Sequence, residues 1–323
     1  MSKAAKIWLI EAASLVLIGI IIFGGIMSML KWDFTKLSTN KQETNEYEIA
    51  EDFKSISVNT DTADIIFVPS ENSKCTVVCY ERKNLRHTVE VKDGELVINT
   101  FDARKWYEYI GINFGAPKIT VYLPESEYST LIIEESTGDI EIPNDFKFKS
   151  IDVSVSTGDV KCSASAAGAI KIETSTGGIF VENTASGSLH LSVSTGKVTV
   201  SGVKCDGNVT VGVSTGKAYL TNVVCKNVIS SGSTGDITLK NVIAAEKLSI
   251  ERSTGDVKFE GSDAAELFVE TGTGDVEGTL LSDKVFITKT DTGRVNVPSS
   301  VTGGICEITT NTGNIKIDVI GNT

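Results

Sequence analysis

The hydrophobic pattern changes character twice along the chain. Residues 7–30, IWLIEAASLVLIGIIIFGGIMSML, form one apolar run broken by Glu11. At 1.5 Å per residue such a run crosses about 30 Å of hydrocarbon as a helix, which predicts a transmembrane span. It exceeds the usual apolar stretch of a cleaved signal peptide, and no small-x-small site follows it, so it reads as a signal-anchor. Lys3, Lys6 and the amino terminus precede it, which favours a cytoplasmic segment 1–6 and an extracytoplasmic remainder, although Lys31 and Lys36 reduce the asymmetry. Residues 31–45 are mostly polar and aperiodic, a juxtamembrane linker.

Beyond residue 46 the period becomes two. From residue 136 to 323 the alternation is punctuated by Thr-Gly, with glycine at 138, 158, 177, 196, 216, 235, 255, 274, 293 and 313, always 19 or 20 residues apart. A fixed period of this length is the signature of a solenoid whose units bury their apolar faces only by stacking. Positions seven, five and three before most of the glycines are apolar or Thr, as in Ile151, Val153 and Val155 or Val209, Val211 and Val213, and a second short strand follows, as in Val198 and Val200. Asn144, Asn183, Gly202, Asn222, Asn241 and Gly261 lie six residues after their glycines and mark a corner. The prediction is an all-β, parallel β-solenoid (β-helix) of two strands and two corners per coil, with rungs about 4.8 Å apart.

Each motif position then has an expected role. Gly138, Gly158, Gly177, Gly196, Gly216, Gly235, Gly255, Gly274, Gly293 and Gly313 are structural turn glycines at a corner that a Cβ would strain. The Thr before each shares the parity of the buried residues and is expected to pack its methyl inward; the Ser before that is expected in solvent. Thr271, Thr290 and Thr310 have inward parity. An open rung where the chain ends, at NIKIDVIGNT, would invite strand addition or self-association.

Residues 46–135 are less regular. VNTDTADIIFV is a degenerate repeat with Ala63 at the glycine position, and HTVEVKDGELVINT reads as a hairpin turning at Asp93-Gly94, so this region is expected to continue the solenoid and cap it. FDARKWYEYIGINFG gathers Phe101, Trp106, Tyr107, Tyr109 and Phe114 in a chain with only 7% aromatic residues. Two readings stand: a hydrophobic lid over the solenoid end, or a contact surface for a partner, a glycan or a membrane.

Charge and candidate chemistry narrow the function. A net charge of −12 opposes nucleic acid as a partner, because phosphate binding needs a cationic footprint. Asp236, Asp256 and Asp275 follow their glycines on successive rungs and are the one weak metal candidate. Calcium wants six to eight oxygens, however, and the column changes to Lys197, Lys217 and Arg294, which favours solvated turn carboxylates. Cys205 and Cys225 belong to a column of small residues with Ala167, Ser186, Ala244 and Ala264, and no CxxC metal spacing exists. Of the two histidines, His190 alternates with Leu189 and Leu191 and should face solvent. No catalytic residue and no cofactor is expected.

One apolar span, a strand-rich lead-in ending in KITVYLPE, and the STGDI and STGKV units together resemble the bacterial "putative adhesin" family of β-strand-repeat proteins of unknown function, common in Gram-positive bacteria. The resemblance implies an extracytoplasmic β-solenoid at the cell envelope and supplies no catalytic residues. The expected function is a membrane-anchored, non-enzymatic binding, adhesion-like or envelope-stress accessory role, with an envelope protein or glycan as partner. Two alternatives remain: a carbohydrate-active β-helix enzyme acting on cell-wall or extracellular polysaccharide, and a calcium-stabilised structural rod.

Overall fold

The computed structural model describes residues 3–33, 42–72, 74–106 and 116–320. Among the described residues the one α-helix, α1 (Lys3–Met29), is long and apolar enough to cross a membrane. It ends where Trp32 donates its backbone N–H to Met27 O at 2.8 Å, with Lys31 and Trp32 both left-handed.

The remaining elements are strands. β1 (Gln42–Ile49), β2 (Ser55–Thr62), β3 (Asp64–Pro69), β4 (Cys75–Arg82), β5 (Leu85–Lys92), β6 (Glu95–Asp102) and β7 (Lys118–Leu123) build the amino-terminal end. The repeats follow as β8 (Glu127–Thr137), β9 (Ile140–Ile142), β10 (Lys147–Thr157), β11 (Val160–Cys162), β12 (Ser165–Glu182), β13 (Ala185–Cys205), β14 (Asn208–Thr234), β15 (Ile237–Thr254) and β16 (Val257–Thr273). The chain finishes with β17 (Val276–Leu280), β18 (Lys284–Thr292), β19 (Val295–Asn296), β20 (Gly304–Thr312) and β21 (Ile315–Val319).

Successive coils stack in parallel register, Val193 on Thr174 and Val213, and Val198 on Ile179 and Ala218. Most inward positions thereby form apolar stacks at most a few per cent exposed, while the columns five and three before the glycine also admit Glu135, Thr174, Ser230, Arg252, Thr271 and Thr310. At about 1.5–3 kcal/mol per buried aliphatic side chain, these columns are the main cohesive term.

A coil has three sides rather than the expected two. After Gly196 the buried residues are Val198 and Val200, then Val203 and Cys205, then Val209, Val211 and Val213. The extra corner is the Asn/Gly column: Asn183, Gly202, Asn222, Asn241 and Gly261 have φ between 52° and 65°. Glycine and asparagine tolerate this left-handed geometry best, so the chain turns there instead of running straight. The short middle side holds the small-residue column, with one correction: the register shifts in the coil after Gly158, so Ala166 stacks on Ser186 and Ala167 is exposed.

At the amino-terminal end, β2 pairs in parallel with β8 and β3 with β9, and Thr62 lies in register with Thr137. Ala63 therefore occupies the glycine position of the first coil. Beyond it β6 and β5 extend the β2 side, while β7, β4 and β1 extend the β3 side. The β5–β6 hairpin turns at Asp93 and Gly94, both at positive φ.

The carboxy-terminal end overturns the expected open rung there. β20 pairs with β16 on one side and β18 on the other; β21 lies between β17 and β19. The last coil of the chain is thus inserted beneath the preceding one, and the outermost rung is β18–β19. There the inward residues Phe286, Thr288, Thr290 and Val297 are only half-buried.

Candidate functional site

The repeated corner is a surface of fixed spacing. The inward alternation stops three residues before each glycine, and the chain then swings outward, so both Ser and Thr of every motif from Ser136-Thr137 to Ser253-Thr254 are exposed. The expected inward threonine is therefore corrected: all ten, Thr292 and Thr312 included, line a solvent-facing ridge. Thr174, Thr271, Thr290 and Thr310, three before their glycines, do point inward, and each donates its hydroxyl to the carbonyl of a stacked glycine.

The glycines are set by close approach, and all but Gly293 also by a positive φ, so the expected strain at that one corner is corrected. A Cβ on Gly196 would fall on the carbonyl oxygen of Gly177, and the same collision recurs from rung to rung. On the stacked rungs the glycine N–H bonds the neighbouring coil, as in Gly158 to Thr176 O at 3.0 Å.

The residue after the glycine decides how the corner is hydrogen-bonded. Asp139, Asp159, Asp236, Asp256 and Asp275 each accept, through Oδ1, the backbone N–H of the corresponding residue one rung on, at 2.6–3.2 Å. Where that residue is Gly178, Lys197 or Lys217, main-chain pairing runs through the corner instead, which is why β12, β13 and β14 are unbroken. Asp236 also meets Lys217 Nζ at 2.9 Å, and that bond holds its carboxyl below the usual range. The three carboxylates considered for calcium are thus acceptors for main-chain donors.

The aromatic segment emerges from β6 at the amino-terminal end. Phe101 is 55% and Trp106 78% exposed, with Arg104 clamped on Asp102 between them at 2.6 Å. Tyr107, Tyr109 and Phe114 lie outside the described residues. His190 is exposed as expected, 3.7 Å from Glu173.

Several charged groups that the alternation hides are buried. Glu81 and His87 lie between the sheets of the amino-terminal end: His87 Nδ1 is 2.7 Å from Glu81 Oε2, which also accepts the His87 backbone N–H, while Asn45 Nδ2 donates to Glu81 Oε1 at 2.5 Å. The Cys79 thiol joins them, the three ligand-type atoms lying within 4.8 Å of one another. Cys75, Cys79 and Glu81 all have inward parity on β4, so an acid on the buried face of a strand was the available signal. Elsewhere, Arg252 fills space left by Gly232 and donates to Ser230 Oγ at 2.7 Å, and Lys284 pairs with Asp263 at 2.7 Å. All six cysteines are buried and unbridged; burial pushes the Cys162 and Cys306 thiols up to about 12.

Glu135 takes the inward position three before Gly138. It bonds Thr60 Oγ1 and accepts the backbone N–H groups of Ala63 and Thr137 at 3.3 and 3.2 Å. Burial raises its carboxyl to about 7, against the lowering effect of those two donors, with Asp61 and Asp64 adding to the rise.

Among solved structures, the chain is similar to an adhesin from Bacteroides fragilis described as putative, at 16% identity, covering 87% of this chain and 99% of that one with a TM-score of 0.43. A second putative adhesin, from Parabacteroides distasonis, matches at 11% identity over 86% and 98% with a TM-score of 0.46. A putative cell adhesion protein from Clostridium sporogenes matches at 12% identity over 87% and 100% with a TM-score of 0.23. No curated protein matches the chain. The model of one family covers residues 53–212 and 205–323, which takes in β2 and β3 as well as every coil after them, and the chain belongs to that family, Toastrack DUF4097.

Proposed function

We propose that this protein is a membrane-tethered, extracytoplasmic binding protein, adhesion-like and non-enzymatic, that contacts its partner through the aromatic segment at the amino-terminal end of the solenoid. The observation that carries the reading is the exposure of Phe101 and Trp106. A lid over the core would bury its rings, whereas large exposed aromatics are what a contact surface offers, since they bring wide area at low entropic cost. Position adds support. α1 ends at Met29 and β1 begins at Gln42, so the tether enters the end of the solenoid that carries the aromatic segment. Within an extended reach of about 40 Å, the partner is at or near the membrane: an envelope protein, a glycan or the bilayer surface.

Photo-crosslinking in intact membranes tests this. A benzophenone side chain replacing Trp106 should capture a discrete adduct, while one replacing the exposed Tyr219, on the flank of the repeats, should not. Equal labelling at both sites, or none at Trp106, rejects the aromatic contact. Protease added to intact cells should remove residues beyond 42; protection of that region rejects the extracytoplasmic placement.

A further inference from the structure

Apart from the Thr60–Glu135 pair, the buried polar side chains described at the amino-terminal end gather at one point. Cys79 and Glu81, two residues apart on β4, project between the sheets and meet His87 from β5. These strands belong to different sides of the solenoid, β4 pairing with β7 and β1, and β5 with β6. The backbone joins them through one pair alone, Arg82 with Leu85. Cys79 and Glu81 have no exposed surface and His87 is 4% exposed. Burying a carboxylate, an imidazole and a thiol together where other coils hold aliphatic residues is unfavourable unless something compensates the lost hydration.

We propose that Cys79, Glu81 and His87 form a three-ligand site for Zn²⁺ that clamps the two sides of the solenoid at its tethered end. Thiolate, imidazole and carboxylate are the donor types that zinc takes, and three protein ligands leave a fourth position for water. Zinc bonds of about 2.0–2.1 Å to nitrogen and oxygen set tetrahedral neighbours roughly 3.3 Å apart, so the 2.7 Å Glu81–His87 contact opens by about half an ångström when the ion enters. The thiol gives up its proton to solvent, and the imidazole coordinates as the neutral tautomer whose hydrogen sits on the ring nitrogen that does not bind the ion. Asn45, bonded to Glu81, is the outer partner that orients the carboxylate. It lies on β1, which among the described residues pairs only with β4 and whose local opening gives the ion its route inward. The aromatic segment leaves β6, the direct neighbour of β5, so the clamp steadies the strand pair that carries it.

Cobalt reports on such a site because a thiolate ligand gives Co²⁺ an intense near-ultraviolet charge-transfer band. Metal-stripped full-length chain in detergent is titrated with Co²⁺. The expected result is the band saturating at one equivalent, bleached by equimolar Zn²⁺, lost in Cys79→Ser and kept in Cys306→Ser, a buried thiol at the far end. In His87→Gln the concentration for half-saturation should rise at least tenfold. Absence of the band in the native chain overturns the proposal whether or not any variant folds, and so does a band that survives Cys79→Ser. Because the readout is the ion itself, failure here leaves the aromatic contact standing, and the reverse also holds.

Discussion

Gly313 stacks on Gly274, the glycine thirty-nine residues before it, and Gly293 stacks on the outer side of Gly313. Order in the chain and order in the rod therefore part at the last two coils. Lys284 reaches across the inserted β20 to Asp263, an ion pair that spans the added rung.

Removing residues 304–320 should accordingly excise an internal coil. β18 and β19 would lose the partners they have in β20 and β21, and hydrogen exchange over 284–296 should accelerate roughly tenfold or more while β14 keeps its protection. Unchanged protection over 284–296 would show that this segment packs directly on β16.

The glycine column predicts an asymmetric pair of substitutions. Gly196→Ala drives a methyl into the Gly177 carbonyl and should cost about 2–4 kcal/mol, read as a lower denaturant midpoint. Ala63→Gly, on the first coil, relieves no collision and should cost about 1 kcal/mol or less. Similar losses at both sites would contradict the close-approach explanation.

The aspartate column should respond to loss of its acceptor and not to calcium. Asp256→Ala strands the Asp275 N–H and should cost about 1 kcal/mol, whereas Asp256→Asn keeps an oxygen in place, as Asn314 does natively for Arg294, and should be nearly neutral. A melting temperature raised by Ca²⁺ and lowered by chelator would restore the calcium-rod reading.

Glu135 sets a pH dependence of definite sign. Its folded pKa, about 7, lies above its ordinary value of 4.5, so between these the folded state binds more protons than the unfolded chain. The burial cost of the charged carboxylate is full above about pH 7 and fades as pH falls toward 4.5. Stability should rise over that fall by on the order of 3 kcal/mol at most, and Glu135→Gln, which can still accept from Ala63 and Thr137, should flatten that contribution and stabilise the protein at pH 8. An unchanged profile in Glu135→Gln would assign the dependence to another group. Asp236 acts in the opposite sense: its depressed pKa adds stability above the ordinary aspartate range that is lost as pH falls through the folded value.

Much of the architecture is local in origin and is legible in the sequence. Period-two alternation, Thr-Gly at intervals of 19 or 20 and turn-forming Asn and Gly at a constant offset specify a stacked coil, because each unit meets a copy of itself and the same contact is solved on every rung. The hairpin at Asp93-Gly94 and the inward Thr271, Thr290 and Thr310 follow from the same arithmetic. What the tertiary structure alone decided are the places where unlike segments meet. The motif threonines face out because alternation ends at a corner whose position depends on how the rung closes. The terminal coil lies beneath its predecessor, with Gly313 stacked on Gly274 and the Lys284–Asp263 ion pair spanning the inserted rung. Cys79, Glu81 and His87 converge because β4 and β5, adjacent in the chain, part to opposite sides of the core, a relationship that no spacing in the sequence encodes.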